Sequence, residues 1–371
     1  MLNEIVDLVL KRLVKPHVIS KGLVGIEEKI TTVESWIRKE PKDNLLIGIW
    51  GMGGIGKTTL AEEIFNKLQY EYEGCYFLAN EREESKNHGI ISLKKRIFSG
   101  LLRLRYDDVE IYTENSLPDN ILRRIGHMKV LIVLDDVSDS DHLGKLLGTL
   151  DNFGSGSRIL VTTRDEQVLK AKKVKKTYHL TELSFDKTLE LFNLNAFNQS
   201  DRQKEYYELS LRVVNYAKGI PLVVKVLAGL LHGKNKEEWE SLLDKLKKIP
   251  PTKVYEVMKL SYDGLDRKEQ QIFLDLACFF LRSNIMVNTC ELKSLLKDTE
   301  SDNSVFYALE RLKDKALITI SEDNYVSMHD SLQEMAWEII RRESSIAGSH
   351  SRLWDSDDIA EALKNGKVSL A

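Results

Sequence analysis

The chain has 371 residues, 42% hydrophobic and 30% charged, with a net charge of −3. That length suits two or three domains with their own cores, and the near-balanced charge gives no global pull toward nucleic acid or an acidic membrane. Cys75, Cys278 and Cys290 stand far apart without a CxxC pair, which predicts reduced, buried thiols rather than a disulfide framework.

Residues 1–19 place Leu2, Ile5, Val6, Val9 and Leu13 on one helical face with nothing before them to pack on, so this segment reads as a linker helix. The opening segment lacks the charged start and apolar centre of a secretory signal. No apolar run approaches the ~20 residues of a membrane helix. The nearest, residues 272–281, is short and carries Asp275. These features predict a cytoplasmic or nuclear protein.

From Leu23 to Leu180 apolar strands alternate with helices, as a parallel α/β sheet requires. Strands are predicted at residues 45–50, 76–79, 130–134, 158–162 and 177–180. The first runs into GMGGIGKTT, residues 51–59, and a helix with Leu60, Ile64 and Leu68 on one face follows. Strand, glycine-rich turn, Lys-Thr and helix in that order define a phosphate-binding loop. Glycine lets backbone N–H groups close in on phosphate oxygens where a Cβ would block the path. Lys57 supplies a point charge for the β- and γ-phosphates, the Thr58 hydroxyl can ligate Mg²⁺, and the helix N-terminus points at the anion. The chain is therefore expected to bind a nucleoside di- or triphosphate.

The strand at residues 130–134 is apolar on both faces and ends in Asp135-Asp136. Carboxylates at this end of a parallel strand lie beside the phosphate loop. One can hold Mg²⁺ through water, and the other can orient or deprotonate an attacking water; the bland alternative is a solvated pair opening a turn. NTPases of the additional-strand type often carry glutamate at the second position. Asp136 is one methylene shorter, which predicts slow hydrolysis. Arg164, after the next strand, can reach a γ-phosphate and so report nucleotide state, or it starts the following helix and pairs with Asp165. Five lysines within residues 170–176 have no interleaved aromatic and read as a solvated loop.

Beyond Leu183 the pattern becomes helical, and Pro250-Pro251 marks an abrupt stop. Helices are predicted at residues 254–260, 268–281, 289–296 and 305–314, then two strands at 317–321 and 325–328, a winged-helix arrangement. A last amphipathic helix runs through Leu332, Met335, Ala336 and Ile339. DNA reading is disfavoured: residues 251–340 hold sixteen acidic against ten basic residues, whereas DNA-reading modules are usually basic. Gly219-Ile220-Pro221-Leu222 reads as a helix start, since proline suits the first turn. His329 reads, from its neighbours alone, as a surface histidine beside a capping aspartate, Asp330.

Together these motifs resemble the NB-ARC module of plant intracellular immune receptors, in the signal-transduction ATPase (STAND) class. The resemblance runs from about Leu23 to Asp330 through GMGGIGKTT, LIVLDDV at 131–137, GSGSRILVTTRD at 154–165, GIPL at 219–222, FLDLACFF at 273–280 and MHD at 328–330. Ser138 after LDDV and CYFLAN at 75–80 are similar to the branch that carries an N-terminal TIR domain. The resemblance implies a linker helix at 1–19, a P-loop domain of the additional-strand type at 20–182, a helical domain at 183–250, a winged-helix domain at 251–342 and a tail at 343–371. It also implies a resting state closed around ADP. Carried over by position, Val24 lies against the adenine and Pro221 packs on the other side of the base. Gly53, Gly54, Ile55, Gly56, Lys57, Thr58 and Thr59 hold the phosphates, Thr58 and Asp135 support Mg²⁺, Arg164 senses the γ-phosphate, and His329 bonds the β-phosphate. GIPL replaces the commoner GLPL and keeps Pro221. Neither a TIR domain nor leucine-rich repeats is expected within this stretch.

The function implied is an ADP/ATP-controlled switch in plant defence, monomeric with ADP and oligomeric once ATP replaces it. The alternative is an efficiently turning-over STAND ATPase that regulates transcription. Turnover separates them, because a switch retains nucleotide and barely hydrolyses it.

Overall fold

The computed structural model describes residues 23–39, 42–197, 204–246, 251–281, 287–296, 304–347 and 352. The linker helix and most of the tail expected from the sequence lie outside these residues. The chain divides into two compact units, Met1–Gly51 with Ile55–Leu183, and Met52–Gly54 with Ser184–Ala371.

The first unit is a parallel sheet flanked by helices. Its elements in chain order are α1 (Glu27–Lys39), β1 (Leu45–Trp50), α2 (Lys57–Leu68), β2 (Gly74–Leu78), α3 (Glu81–Leu102), α4 (Asp119–Ile125), β3 (Val130–Leu134), α5 (Ser140–Leu147), β4 (Arg158–Thr163), α6 (Glu166–Ala171) and β5 (Lys176–His179). The strand order is β2-β3-β4-β1-β5, and all pairings are parallel. β3 is buried along its whole length, as a continuous apolar run in a two-sided sheet should be. Leu60, Ile64 and Leu68 form the buried face of α2, and Ile30, Val33 and Ile37 that of α1.

The ends of β2, β4 and β5 differ from the sequence expectation by one or two residues. β2 stops at Leu78 because Asn80 enters the left-handed region (φ 50°) and turns the chain into α3. β5 begins at Lys176, opposite Ile47. Arg158, at the start of β4, is a structural cation. Its Nε and Nη2 donate to the Ile37 carbonyl at 3.0 and 2.8 Å, which satisfies an orphan acceptor in the last turn of α1.

The second unit contains α7 (Phe185–Ala196), α8 (Tyr207–Ala217), α9 (Pro221–Leu231), α10 (Lys236–Leu246), α11 (Thr252–Asp263), α12 (Arg267–Asp275), β6 (Val287–Asn288), α13 (Thr289–Leu296), α14 (Ser304–Asp314), β7 (Thr319–Ile320), β8 (Tyr325–Ser327) and α15 (Asp330–Ala347). Trp239 on α10 is fully buried, with its ring 5.7 Å from Phe192, 5.7 Å from Phe197 and 5.0 Å from Tyr206. Its indole N–H donates to the Leu231 carbonyl at 3.0 Å. This aromatic cluster ties α7, α8 and α10 together.

Three expectations for this unit are corrected. Cys278 is buried as expected, but Cys290 is exposed. The helix predicted over 268–281 is α-helical only to Asp275, and residues Leu276–Phe280 form a π turn. The Leu281 N–H donates five residues back, to Leu276. The Ala277 carbonyl is instead taken by Gln333 Nε2 and Trp337 Nε1 of α15, both at 3.2 Å. Tertiary donors thus replace one helical bond. The predicted two-stranded hairpin is a three-stranded antiparallel sheet, β6-β8-β7, with shorter strands. β6 is too short to carry an alternating pattern.

Candidate nucleotide-binding site

The loop after β1 has three glycines at positive φ, Gly51, Gly54 and Gly56. Gly51 has φ 151°, and a Cβ there would stand 2.7 Å from the Leu180 carbonyl oxygen. Gly56, with φ 103°, is the residue before α2, and side chains rarely adopt that geometry. The chain then curls so that Lys57 Nζ donates back to the Gly51 carbonyl at 2.8 Å. Lys57 is 6% exposed. Burial pushes its ammonium down to about 7, helped by Arg164 and Arg82 and opposed by Asp136 and Asp135.

The two aspartates after β3 have separate partners. Asp135, fully buried, accepts from Thr58 Oγ1 at 2.9 and 3.1 Å and from Thr162 Oγ1 at 2.6 Å. Asp136 is left-handed (φ 56°), a conformation that asparagine and aspartate tolerate better than most. Its N–H donates to Thr162 Oγ1 at 2.9 Å. Thr162 therefore bonds both positions of the pair, and neighbouring Thr163 donates to the Val137 carbonyl at 2.7 Å. The two threonines of VTTRD pin the turn after β3 to the end of β4.

The Asp136 carboxylate lies between two guanidiniums. Arg164 Nε donates to Oδ1 at 2.9 Å, and Arg82 Nε forms an ion pair with Oδ2 at 3.5 Å. Burial alone would raise the Asp136 pKa, but Arg164, Arg82 and Lys57 together hold it below the ordinary aspartate value. Asp165 caps α6 by accepting from the Gln167 N–H at 3.0 Å. Arg164 thus turns toward Asp136 at the sheet end. Among the five lysines of residues 170–176, Lys170 pairs with Glu166 at 2.8 Å and Lys172 with Asp141 at 3.6 Å.

The structure accordingly brings together Lys57, Thr58, Asp135, Asp136 and Arg164. Gly53, Gly54, Ile55 and Thr59 belong to the same loop and helix start. Val24 is half-buried in the irregular stretch before α1. Arg82, two residues beyond CYFLAN, joins this cluster through Asp136, and no sequence motif marks it.

Pro221 and His329 lie in the second unit. Pro221 opens α9. His329 Nδ1 accepts from the Ser331 N–H at 3.1 Å, which leaves Nε2 as the donor to the Lys218 carbonyl at 3.1 Å. The Leu332 and Gln333 N–H groups bond the His329 carbonyl. His329 therefore caps α15 itself, and Asp330 is the first helical residue rather than the cap. In the winged-helix segment, Arg311 of α14 points to Glu269 at 3.8 Å, so this basic residue is engaged within the domain.

The sheet order, the glycine-rich turn and the carboxylate pair define a P-loop NTPase fold. Solved structures agree at the level of fold. A Walker-type ATPase of Pyrococcus abyssi superposes with a TM-score of 0.53 at 12% identity, covering 88% of this chain and 99% of that one. The ORC2 protein of Aeropyrum pernix, solved in ADPNP–ADP complexes, gives 0.50 at 14% identity, covering 91% and 98%. The NB-ARC domain family matches residues 26–202, and the winged-helix domain described as disease resistance protein Roq1-like matches residues 266–344.

The chain carries an NB-ARC domain and a Roq1-like winged-helix domain, and it is similar to plant disease resistance proteins. It is 38% identical over 362 residues to the disease resistance-like protein DSC1 of Arabidopsis thaliana, covering 94% of this chain and 29% of that protein. It is 36% identical to the TMV resistance protein N of Nicotiana glutinosa, covering 100% and 32%, and 37% identical to the disease resistance protein RUN1 of Vitis rotundifolia, covering 98% and 27%. The chain thus spans about three tenths of the length of the curated relatives it matches. Among the described residues no helix is long and apolar enough to cross a membrane.

Proposed function

We propose that this chain is the adenine-nucleotide switch of an intracellular plant immune receptor, holding ADP at rest and changing conformation and oligomeric state when ATP replaces it. The observation that carries the reading is the convergence of Lys57, Thr58, Asp135, Asp136 and Arg164 at one end of the parallel sheet. Lys57 and the loop amides of Gly53, Gly54, Ile55, Gly56, Thr58 and Thr59 bind the phosphates. The Thr58 hydroxyl and Asp135 carboxylate are hard oxygen donors within hydrogen-bond distance of each other. That donor set fits Mg²⁺, which takes few protein ligands and completes its shell with water and phosphate oxygens. Val24, Pro221 and His329, as base and β-phosphate contacts, rest on the family resemblance.

Asp136 supports a switch rather than a fast enzyme. A carboxylate held ionised between Arg164 and Arg82 is a weak base for an attacking water. Steady-state phosphate release from the isolated protein is expected below about one per second, at the low end of enzyme turnover, with nucleotide co-purifying at one per chain. Sustained turnover well above that rate would favour the ATPase alternative.

A further inference from the structure

No motif marks Arg82, yet its Nε lies 3.5 Å from Asp136 Oδ2, on the carboxylate that Arg164 Nε bonds at 2.9 Å. Asn80 turns the chain through the left-handed region, and the Glu81 N–H donates to the Asp135 carbonyl at 2.7 Å. The first turn of α3 is thereby fastened to the end of β3, and Arg82 is the next residue. Its side chain and those of Asp136 and Arg164 are each only 13–14% exposed. Three cations, Arg82, Arg164 and Lys57, interact electrostatically with one another and with Asp136.

We propose that Arg82 is a second guanidinium for the terminal phosphate of a nucleoside triphosphate, shared with Arg164 and parked on Asp136 until that phosphate arrives. The proposal rests on the nucleotide reading above and adds a residue to the same site. A carboxylate between two guanidiniums offers them the charge and the paired oxygens that a phosphoryl group offers. A γ-phosphate competes with Asp136 for both arginines, whereas a diphosphate ends one phosphate short and leaves them in place. The exchange of partners is a contact that only one nucleotide makes, which is what a ligand needs to shift an equilibrium between two states. It also couples the turn after β3 and the start of α3 to the identity of the nucleotide. A purely structural Arg82, serving only to brace the Asp136 turn, would weaken both nucleotides equally.

The test compares Kd values for ADP and for the non-hydrolysable triphosphate AMP-PNP, with Mg²⁺, by calorimetry on the whole chain. Arg82→Gln is expected to raise the AMP-PNP/ADP ratio of Kd values about tenfold, the usual scale for a lost charge-assisted hydrogen bond. Asp136→Asn, which removes the competing carboxylate, is expected to lower the ratio. Should the glutamine variant fail to fold, Arg82→Lys keeps the charge without the fork and is expected to shift the ratio about threefold. A ratio within twofold of wild type in the folded Arg82 variant overturns the proposal and leaves the nucleotide reading standing. A wild-type chain that binds neither nucleotide overturns both.

Discussion

The end of the parallel sheet and the turn before α9 are built from opposite materials. At the sheet end the contacts are charged and buried: two carboxylates, two guanidiniums and an ammonium, braced by the hydroxyls of Thr58 and Thr162. In the second unit one contact is to a backbone carbonyl and another to a single carboxylate. The Lys218 carbonyl, exposed by a left-handed residue (φ 46°) at the end of α8, accepts from His329. Tyr216 donates to Glu334 at 2.5 Å, and burial with the Glu334 charge pushes its hydroxyl pKa upward. It therefore stays a donor at every physiological pH. Under the function proposed above, the first region answers a change of charge, such as an added phosphate. The second depends on geometry, because its bonds link α15 and the residue before it to the end of α8.

That contrast can be broken most severely at Lys57. Lys57→Ala removes a buried cation and a charge-assisted bond, so ADP affinity is expected to fall about ten- to a hundredfold, with little change in the tryptophan fluorescence of the Trp239 cluster. Equal loss of both would show that the two regions are not separable. Thr162→Val is next. It leaves Asp135 short of one donor and the Asp136 N–H without its acceptor, an expected cost of about 1–3 kcal/mol in stability of the first unit. Urea titration monitored on that unit checks it.

A pH series sharpens the same contrast. In the protein alone burial holds the Lys57 ammonium down to about 7, and a bound phosphate restores it toward the ordinary lysine value. The complex then carries more protons than the free protein, so binding takes up a proton and affinity falls as pH rises above about 7. Calorimetry in buffers of different ionisation enthalpy should register that uptake, and Lys57→Met should abolish it. The smallest effect is expected from Tyr216→Phe, which deletes one hydrogen bond worth about 0.5–1.5 kcal/mol and should modestly speed nucleotide exchange without altering its pH profile.

The parallel sheet, the phosphate loop and the Asp135-Asp136 pair were legible in the sequence because each rests on local patterning: apolar runs, glycine spacing and a helix start. What escaped depends on contacts between distant segments. Arg82 reaches Asp136 only because Asn80 reverses the chain and Glu81 bonds to β3. The π turn at Leu276–Phe280 exists because Gln333 and Trp337, more than fifty residues on, claim the Ala277 carbonyl. His329 took the capping role expected of Asp330 because an imidazole nitrogen in its acceptor form serves the Ser331 N–H as a carboxylate would.

Most directly, the purified chain can be denatured and its released small molecules separated by chromatography, with base and phosphate count identified against standards. One ADP per chain is the predicted result. A folded protein that releases no nucleotide and shows no heat of binding with added ADP or ATP would contradict the account at its root.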